Sequence, residues 1–309
     1  MNTPETALNE VKKAVVGKDD VLKLAFIAIL ARGHILVEDI PGVGKTTMAL
    51  AFSKALGLEY RRIQFTPDVL PSDIVGFSIL DQGSGQMIYK PGAILCNLFL
   101  ADELNRATSR TQSALLEAME EGGVTVDGIT HRLPDPFIVI ATQNPVGSSG
   151  TQLLPESQLD RFIVRLSLGY PTPADELDLL QRKQGGNTLE NVGCVARNSD
   201  LAAMRDEADK VFVDKKIFEY AVRLSTTSRT NRSVMHGASP RATIAVVSMA
   251  KARAYVEGRD YVIPDDIRYI YPAAISHRLL LTAEAKAAGL TSRDVVDEII
   301  SMTSAPFAL

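Results

Sequence analysis

The run that most constrains this chain is His34-Ile35-Leu36-Val37-Glu38-Asp39-Ile40-Pro41-Gly42-Val43-Gly44-Lys45-Thr46-Thr47, an apolar strand that enters a glycine turn and then a helix. The helix reading rests on TMALAFSKALG, which has the alanine and leucine content of a buried helix. On the other side of the strand, apolar residues recur at helical spacing through Leu24, Ile27, Ala28 and Ala31 until Gly33 stops them. A turn of this kind can aim main-chain N–H groups inward at a helix N-terminus, with Lys45 adding an ammonium and Thr46 a hydroxyl. Those are the four elements that a triphosphate with magnesium requires. A turn that only caps a helix explains Gly42 and Gly44, but gives no reason for Lys45-Thr46-Thr47 directly after them. The strict pattern asks for glycine where this chain has Asp39, so the match consists of Pro-Gly plus Gly-Lys-Thr.

Two more apolar runs, GAILCNLFLADE and PFIVIATQN, end in polar residues and read as central parallel strands buried on both faces. The first delivers Asp102 and Glu103 to its carboxyl end, where open parallel sheets place their ligand sites. Asp102 suits the water shell of a magnesium ion, and Glu103 suits the orientation of an attacking water. Two acids at a strand end are also a common solvated turn, and it is the glycine turn upstream that gives them a chemical reading. Asn144, at the tip of the second run, suits a hydrogen bond to that water or to the outer phosphate, and a turn before Pro145 explains it equally well. Between the runs, SRTQSALLEAMEEG puts Leu115, Leu116 and Met119 on one helical face, a core stripe. GVTVDGITHRL and GFSILDQGSGQMIYKPG read as hairpins.

After Tyr170-Pro171-Thr172-Pro173 the strand-like runs give way to helical periods such as FEYAVRLS and RATIAVVSMAKARAYV, with QGGNTLENVGC as a loose connection. The expected organisation is an α/β nucleotide-binding domain over 1–171, with a parallel central sheet flanked by helices, and a smaller all-α lid over 172–309. Ser239-Pro240 reads as an N-cap and first-turn proline. Arg161 and Arg241 each follow an element end, where a surface ion pair is the default for an arginine.

A net charge of -4 over 309 residues spreads no basic field, which disfavours nonspecific nucleic-acid binding. Cys96 and Cys194 make no metal-ligand spacing, and His34, His131, His236 and His277 are scattered, so neither a disulfide framework nor a structural zinc is expected. The polar start MNTPETALNE is not a secretory leader, and no apolar run is long enough and uncharged enough to cross a bilayer, which points to the cytoplasm.

Taken in order, EDIPGVGKT, QFTPDVLPSDIVG, DELNRATSRTQSALLEAMEE, ATQNPV, LPESQLDRF and SPRA resemble the MoxR family of AAA+ ATPases across nearly the whole chain. The resemblance implies ATP and Mg2+ as ligands and ATP hydrolysis at subunit interfaces. It places Pro41, Gly42, Val43, Gly44, Lys45, Thr46 and Thr47 in Walker A. It puts Asp102 and Glu103 in Walker B, with Thr46 and Asp102 on magnesium. It also implies a first sensor at Asn144, an arginine finger at Arg161, a second sensor at Arg241 on the lid, and adenine contacts at Val16 and Gly17. Phe65 to Phe77 and the hairpin that follows are implied to form a pore-facing insert. Self-association into a ring, a hexamer, and a chaperone-like role on a protein client carrying a von Willebrand factor A domain are implied as well. Three other readings stay open from the residues: a scaffold that binds ATP without turnover, a motor acting on nucleic acid, and a metal-chelatase subunit.

Overall fold

The structure, a computed structural model, describes residues 4–83, 85–144, 154–184, 186 and 188–306. The turn expected at Pro145, and Gly185 and Asn187 of the loose connection, lie outside the described residues.

Five strands form one parallel sheet: β1 (His34–Glu38), β2 (Tyr60–Gln64), β3 (Leu98–Asp102), β4 (Ile138–Gln143) and β5 (Phe162–Leu166). Their spatial order is β2-β3-β4-β1-β5. Alternation of side chains divides the three central strands between two cores. Ile35, Val37, Leu98, Leu100, Ile138 and Ile140 face the helices Asp19–Leu30 and Lys45–Ala55, whereas Leu36, Phe99, Ala101, Val139 and Ala141 face the helix Ser109–Glu121. Such strands cannot alternate polar and apolar residues, which is why they read as continuous apolar runs. Burying each large side chain contributes roughly 1.5–3 kcal/mol, so Leu100→Ala at the sheet centre should cost about 2–5 kcal/mol.

Of the run GAILCNLFLADE, only Leu98–Asp102 is strand. The residues before it leave the sheet to bond the segment at 73–74, with Ala93 N donating to Asp73 O at 3.0 Å and Ile94 N to Ile74 O at 3.1 Å. Both hairpins form, Gly76–Leu80 with Met87–Pro91 and Gly123–Val126 with Ile129–Arg132, and they touch where the Tyr89 and His131 rings stack. Leu115, Leu116 and Met119 are core, and so is Phe65, the first residue of the expected insert.

From Asn198 onward the chain is helical, apart from a small antiparallel pair, Val234–His236 with Leu280–Leu281, too short to leave a period-two signal. Ser239 caps the helix Pro240–Val256 by accepting from Ala242 N. These helices extend the first core outward from the Asp19–Leu30 helix. Buried Arg205 donates from Nε to Ile29 O at 3.0 Å, and Arg32 pairs with Asp206 and Asp209. No helix among the described residues is long and apolar enough to cross a membrane.

Candidate functional site: a polar cavity at the carboxyl edge of the sheet

Strand register sets the site. Gln64 lies opposite Asp102, Ala101 opposite Ala141, and Val37 opposite Thr142, so the chain segments leaving β1, β2, β3 and β4 open onto the same edge. A cavity of about 380 Å³ there is lined by Pro41, Gly42, Gly44, Lys45, Thr46, Thr47, Arg62, Gln64, Asp102, Glu103 and Asn144. Gly42 and Gly44 take φ of 86° and 97°, which residues with a Cβ rarely adopt. Nothing stands within 4 Å of where a Cβ would point at either residue, so the loop presents bare main chain to open space. Gly44 is also the N-cap of an 11-residue helix and provides no side-chain cap, which leaves the first-turn amides available to an anion.

Lys45 is buried, and its ammonium donates to the Asp39 carbonyl at 2.6 Å and to Asn144 Oδ1 at 3.3 Å. Burial pushes its pKa down, while Asp39, Asp102 and Glu103 oppose that shift. Asn144 Nδ2 donates to Glu103 Oε1 at 3.1 Å, so one side chain touches both the cation and the acid. Glu103 sits in the left-handed region at φ 57°, ψ 45°, with its backbone N–H donating to Thr142 Oγ1 at 2.8 Å. The same Thr142 hydroxyl donates to Asp102 Oδ1 at 2.6 Å, so a single threonine orients both acids. Arg106 pairs with Glu103 at 2.8 Å and is the leading cause that holds its carboxyl below the ordinary carboxylate value, so the group stays ionised and can accept a hydrogen bond from a water molecule. The oxygen donors of Thr46 and Asp102 suit a hard divalent cation.

Several participants were not legible beforehand. Arg62 grips Asp102 Oδ2 with Nη2 at 2.6 Å and Nε at 3.2 Å, and Gln64 lines the same wall. Asp39, which departs from the strict loop pattern, is buried. Its Oδ2 accepts from the amides of Leu168 and Gly169 and from Ser167 Oγ, the last two at 2.9 and 3.1 Å. The acid therefore ties the start of the loop to the chain leaving β5.

A second cavity of about 710 Å³ shares Pro41 and Gly42 with the first and adds Val43, Tyr170, Pro171 and the helix Pro173–Gln184 through Glu176, Leu179, Leu180 and Lys183. Its apolar walls beside the Lys45 cavity have the size for a nucleoside. Val16 and Gly17 do not line it, although Gly17 packs against the helix that does. A Cβ on Gly17 would stand 2.1 Å from Asp175 Cγ on that helix, and Lys18 Nζ donates to Tyr170 O at 2.8 Å.

Arg161 and Arg241 lie elsewhere. Arg161 immediately precedes β5 and so stands at the amino edge of the sheet, a strand length, on the order of 15 Å, from the carboxyl edge. Its guanidinium donates to Leu116 O at 3.0 Å and pairs with Glu120, and Arg241 pairs with the same Glu120 at 3.1 Å. The structure thus brings the two arginines together and keeps both out of the cavity around Lys45.

Comparison with known proteins gives the family and the fold. Residues 34–164 match the ATPase family associated with various cellular activities (AAA), and residues 226–299 match the AAA lid domain. The chain is 47% identical to YeaC of Bacillus subtilis, over 97% of this chain and 94% of that protein. It is 37% identical to Chaperone MoxR1 of Mycobacterium tuberculosis, over 99% and 83%, and 32% identical to Protein MoxR of Methylorubrum extorquens, over 88% and 86%. A crystal structure of a candidate ATPase from Cytophaga hutchinsonii superposes with a TM-score of 0.91 at 36% identity, covering 98% of this chain and 94% of that one.

Proposed function

Since the chain belongs to the MoxR family of AAA+ ATPases, we propose that it binds ATP with magnesium in the Lys45 cavity and hydrolyses ATP with help from an arginine of a neighbouring copy of itself. The observation that carries this reading is the division of the chemistry between two edges of one sheet. Lys45, Asp102, Glu103 and Asn144 converge at the carboxyl edge, and Arg161 with Arg241 stands at the amino edge, out of reach of its own cavity.

In this reading the main chain at Gly42 to Thr46 and the Lys45 ammonium hold the phosphates, and residues 170–183 receive the nucleoside. Thr46 and Asp102 would hold magnesium, which when bound would supply charge neutralisation at the phosphates. Glu103 orients and polarises the attacking water, and Asn144 fixes Glu103 relative to Lys45. Residues 1–171 carry the phosphate-binding and water-activating groups, and residues 172–309, whose first helix lines the nucleoside cavity, form the lid. Arg161, with Arg241 beside it, faces the adjoining subunit's cavity, which makes a closed ring, here taken as a hexamer, the active form. An arginine given in trans contributes about a thousandfold or more to turnover, so isolated subunits should be nearly inactive.

The two hairpins expose Phe77, Leu80, Met87, Ile88 and Ile129. Apolar surface of that kind suits contact with a partially unfolded protein client, in line with a chaperone-like role in the cytoplasm.

Steady-state phosphate release tests the reading. Glu103→Gln should retain nucleotide and lose turnover, and Arg161→Ala should be inactive alone yet recover when mixed with Glu103→Gln subunits. Full turnover in Glu103→Gln would remove that residue from the chemistry, and no recovery in the mixture would place Arg161 outside the neighbour's site.

A further inference from the structure

The three residues around Arg161 are held from the helical region by one side chain. Arg278 is 4% exposed. Its Nε donates to Asp160 Oδ1 at 2.6 Å, its Nη2 to the carbonyls of Asp160 and Phe162 at 3.0 and 2.9 Å, and its Nη1 to the carbonyl of Ile163 at 3.2 Å. Ser239, the cap of the helix that carries Arg241, donates to the other carboxylate oxygen, Asp160 Oδ2, at 3.2 Å. His277 Nε2 adds a bond to the Phe162 carbonyl at 3.0 Å. Residues 160, 162 and 163 are therefore pinned to the helical region, while the Arg161 guanidinium alone turns the opposite way, toward Leu116 and Glu120.

We propose that Arg278 is a positioning residue for Arg161: it clamps the backbone on both sides of the finger, so that the lid of one subunit sets the reach of the arginine given to the next. The inference rests on the reading of Arg161 as a group donated across the subunit boundary. Its chemistry is specific to a guanidinium. The planar fork satisfies a carboxylate and four carbonyls at once, the fourth being that of Ala274 on its own side, whereas a lysine ammonium is a point donor with three protons on a flexible stem. Arg278→Lys keeps the charge opposite the half-buried Asp160, so its carboxylate is not left unpaired, but it releases most of the backbone grip. A displacement of about 1 Å at a group acting on a transition state is enough to cost on the order of a hundredfold.

The proposal predicts a defect on the donating side only. Arg278→Lys should bind ATP as the unsubstituted chain does and assemble as it does, while turnover falls by about tenfold to a hundredfold. Mixed with Glu103→Gln subunits, which are inactive but carry an intact finger, Arg278→Lys subunits should regain turnover, because their own cavities are unaltered. Mixed with Arg161→Ala subunits they should not. Arg161→Ala run beside it separates the two claims: if that variant is not rescued by Glu103→Gln, the donated arginine itself fails. If it is rescued and Arg278→Lys is not, the clamp fails. Unchanged turnover in Arg278→Lys, or a loss of ATP affinity, would also overturn the clamp. Asp160→Asn, which preserves shape and removes the paired charge, runs through the same mixtures and gives the same pattern if Arg278→Lys folds poorly.

Discussion

The side-chain amide of Asn144 donates to Glu103 Oε1 at 3.1 Å, while its carbonyl oxygen accepts from Lys45 at 3.3 Å. A single neutral residue therefore sets the spacing between the Lys45 ammonium and the Glu103 carboxylate, the groups proposed to hold phosphate and to prepare water. Asn144→Ala should leave ATP affinity within about threefold and lower kcat by about a hundredfold, the scale of losing one preorganised positioning group. Calorimetric affinity together with phosphate-release kinetics checks this. A loss of affinity with kcat preserved would mean that Asn144 serves binding instead.

Asp39 gives a prediction that runs against the motif. Asp39→Gly would bring the loop closer to the strict glycine pattern, yet it removes an acceptor from the Leu168 and Gly169 amides and from Ser167. Unpaired buried donors and a lost charge-assisted bond should cost about 2–3 kcal/mol of stability and loosen nucleotide binding severalfold. Denaturant unfolding should show a lower midpoint. Equal stability and tighter ATP binding in the glycine variant would contradict the bracing role.

His34 makes the fold sensitive to mild acid. Its Nδ1 accepts from Val139 N at 3.0 Å and its Nε2 lies 3.2 Å from the Met119 carbonyl, so the neutral ring is fully used. Burial pushes its pKa down to about 4 from the ordinary 6.5. Because the unfolded chain takes up a proton that the folded chain resists, stability is complete above pH 6.5 and is lost as the pH falls toward 4. The residue as a whole is half-buried, so the loss from this group is on the order of 1–2 kcal/mol. Scanning calorimetry should find the melting temperature falling between pH 6.5 and 5, with a shallower slope in His34→Asn, which keeps an acceptor for Val139. Identical slopes would remove His34 as the cause.

The central strands were legible because burial on both faces forces continuous apolar runs, as in Leu98–Asp102 and Ile138–Gln143. The edge strands were not. Tyr60–Gln64 carries two arginines on a half-open edge, and Phe162–Leu166 is a five-residue run interrupted by Arg165. Missing β2 hid Arg62 and Gln64, whose place in the Lys45 cavity depends on pairing with β3 rather than on any local pattern. Lys45, Thr46, Asp102, Glu103 and Asn144 were legible as a set, and the structure gathers them in one cavity. The shared ion pair of Arg161 and Arg241 with Glu120 joins three elements far apart in the chain, and no spacing rule announces it.

The most direct test of the central claim is calorimetric titration of Mg-ATP into the folded chain and into Lys45→Ala. The account predicts saturable heat at one site per chain for the first, and markedly weaker binding for the second. Folded protein that takes up no ATP, or a Lys45→Ala variant that binds as tightly as the unsubstituted chain, would contradict it.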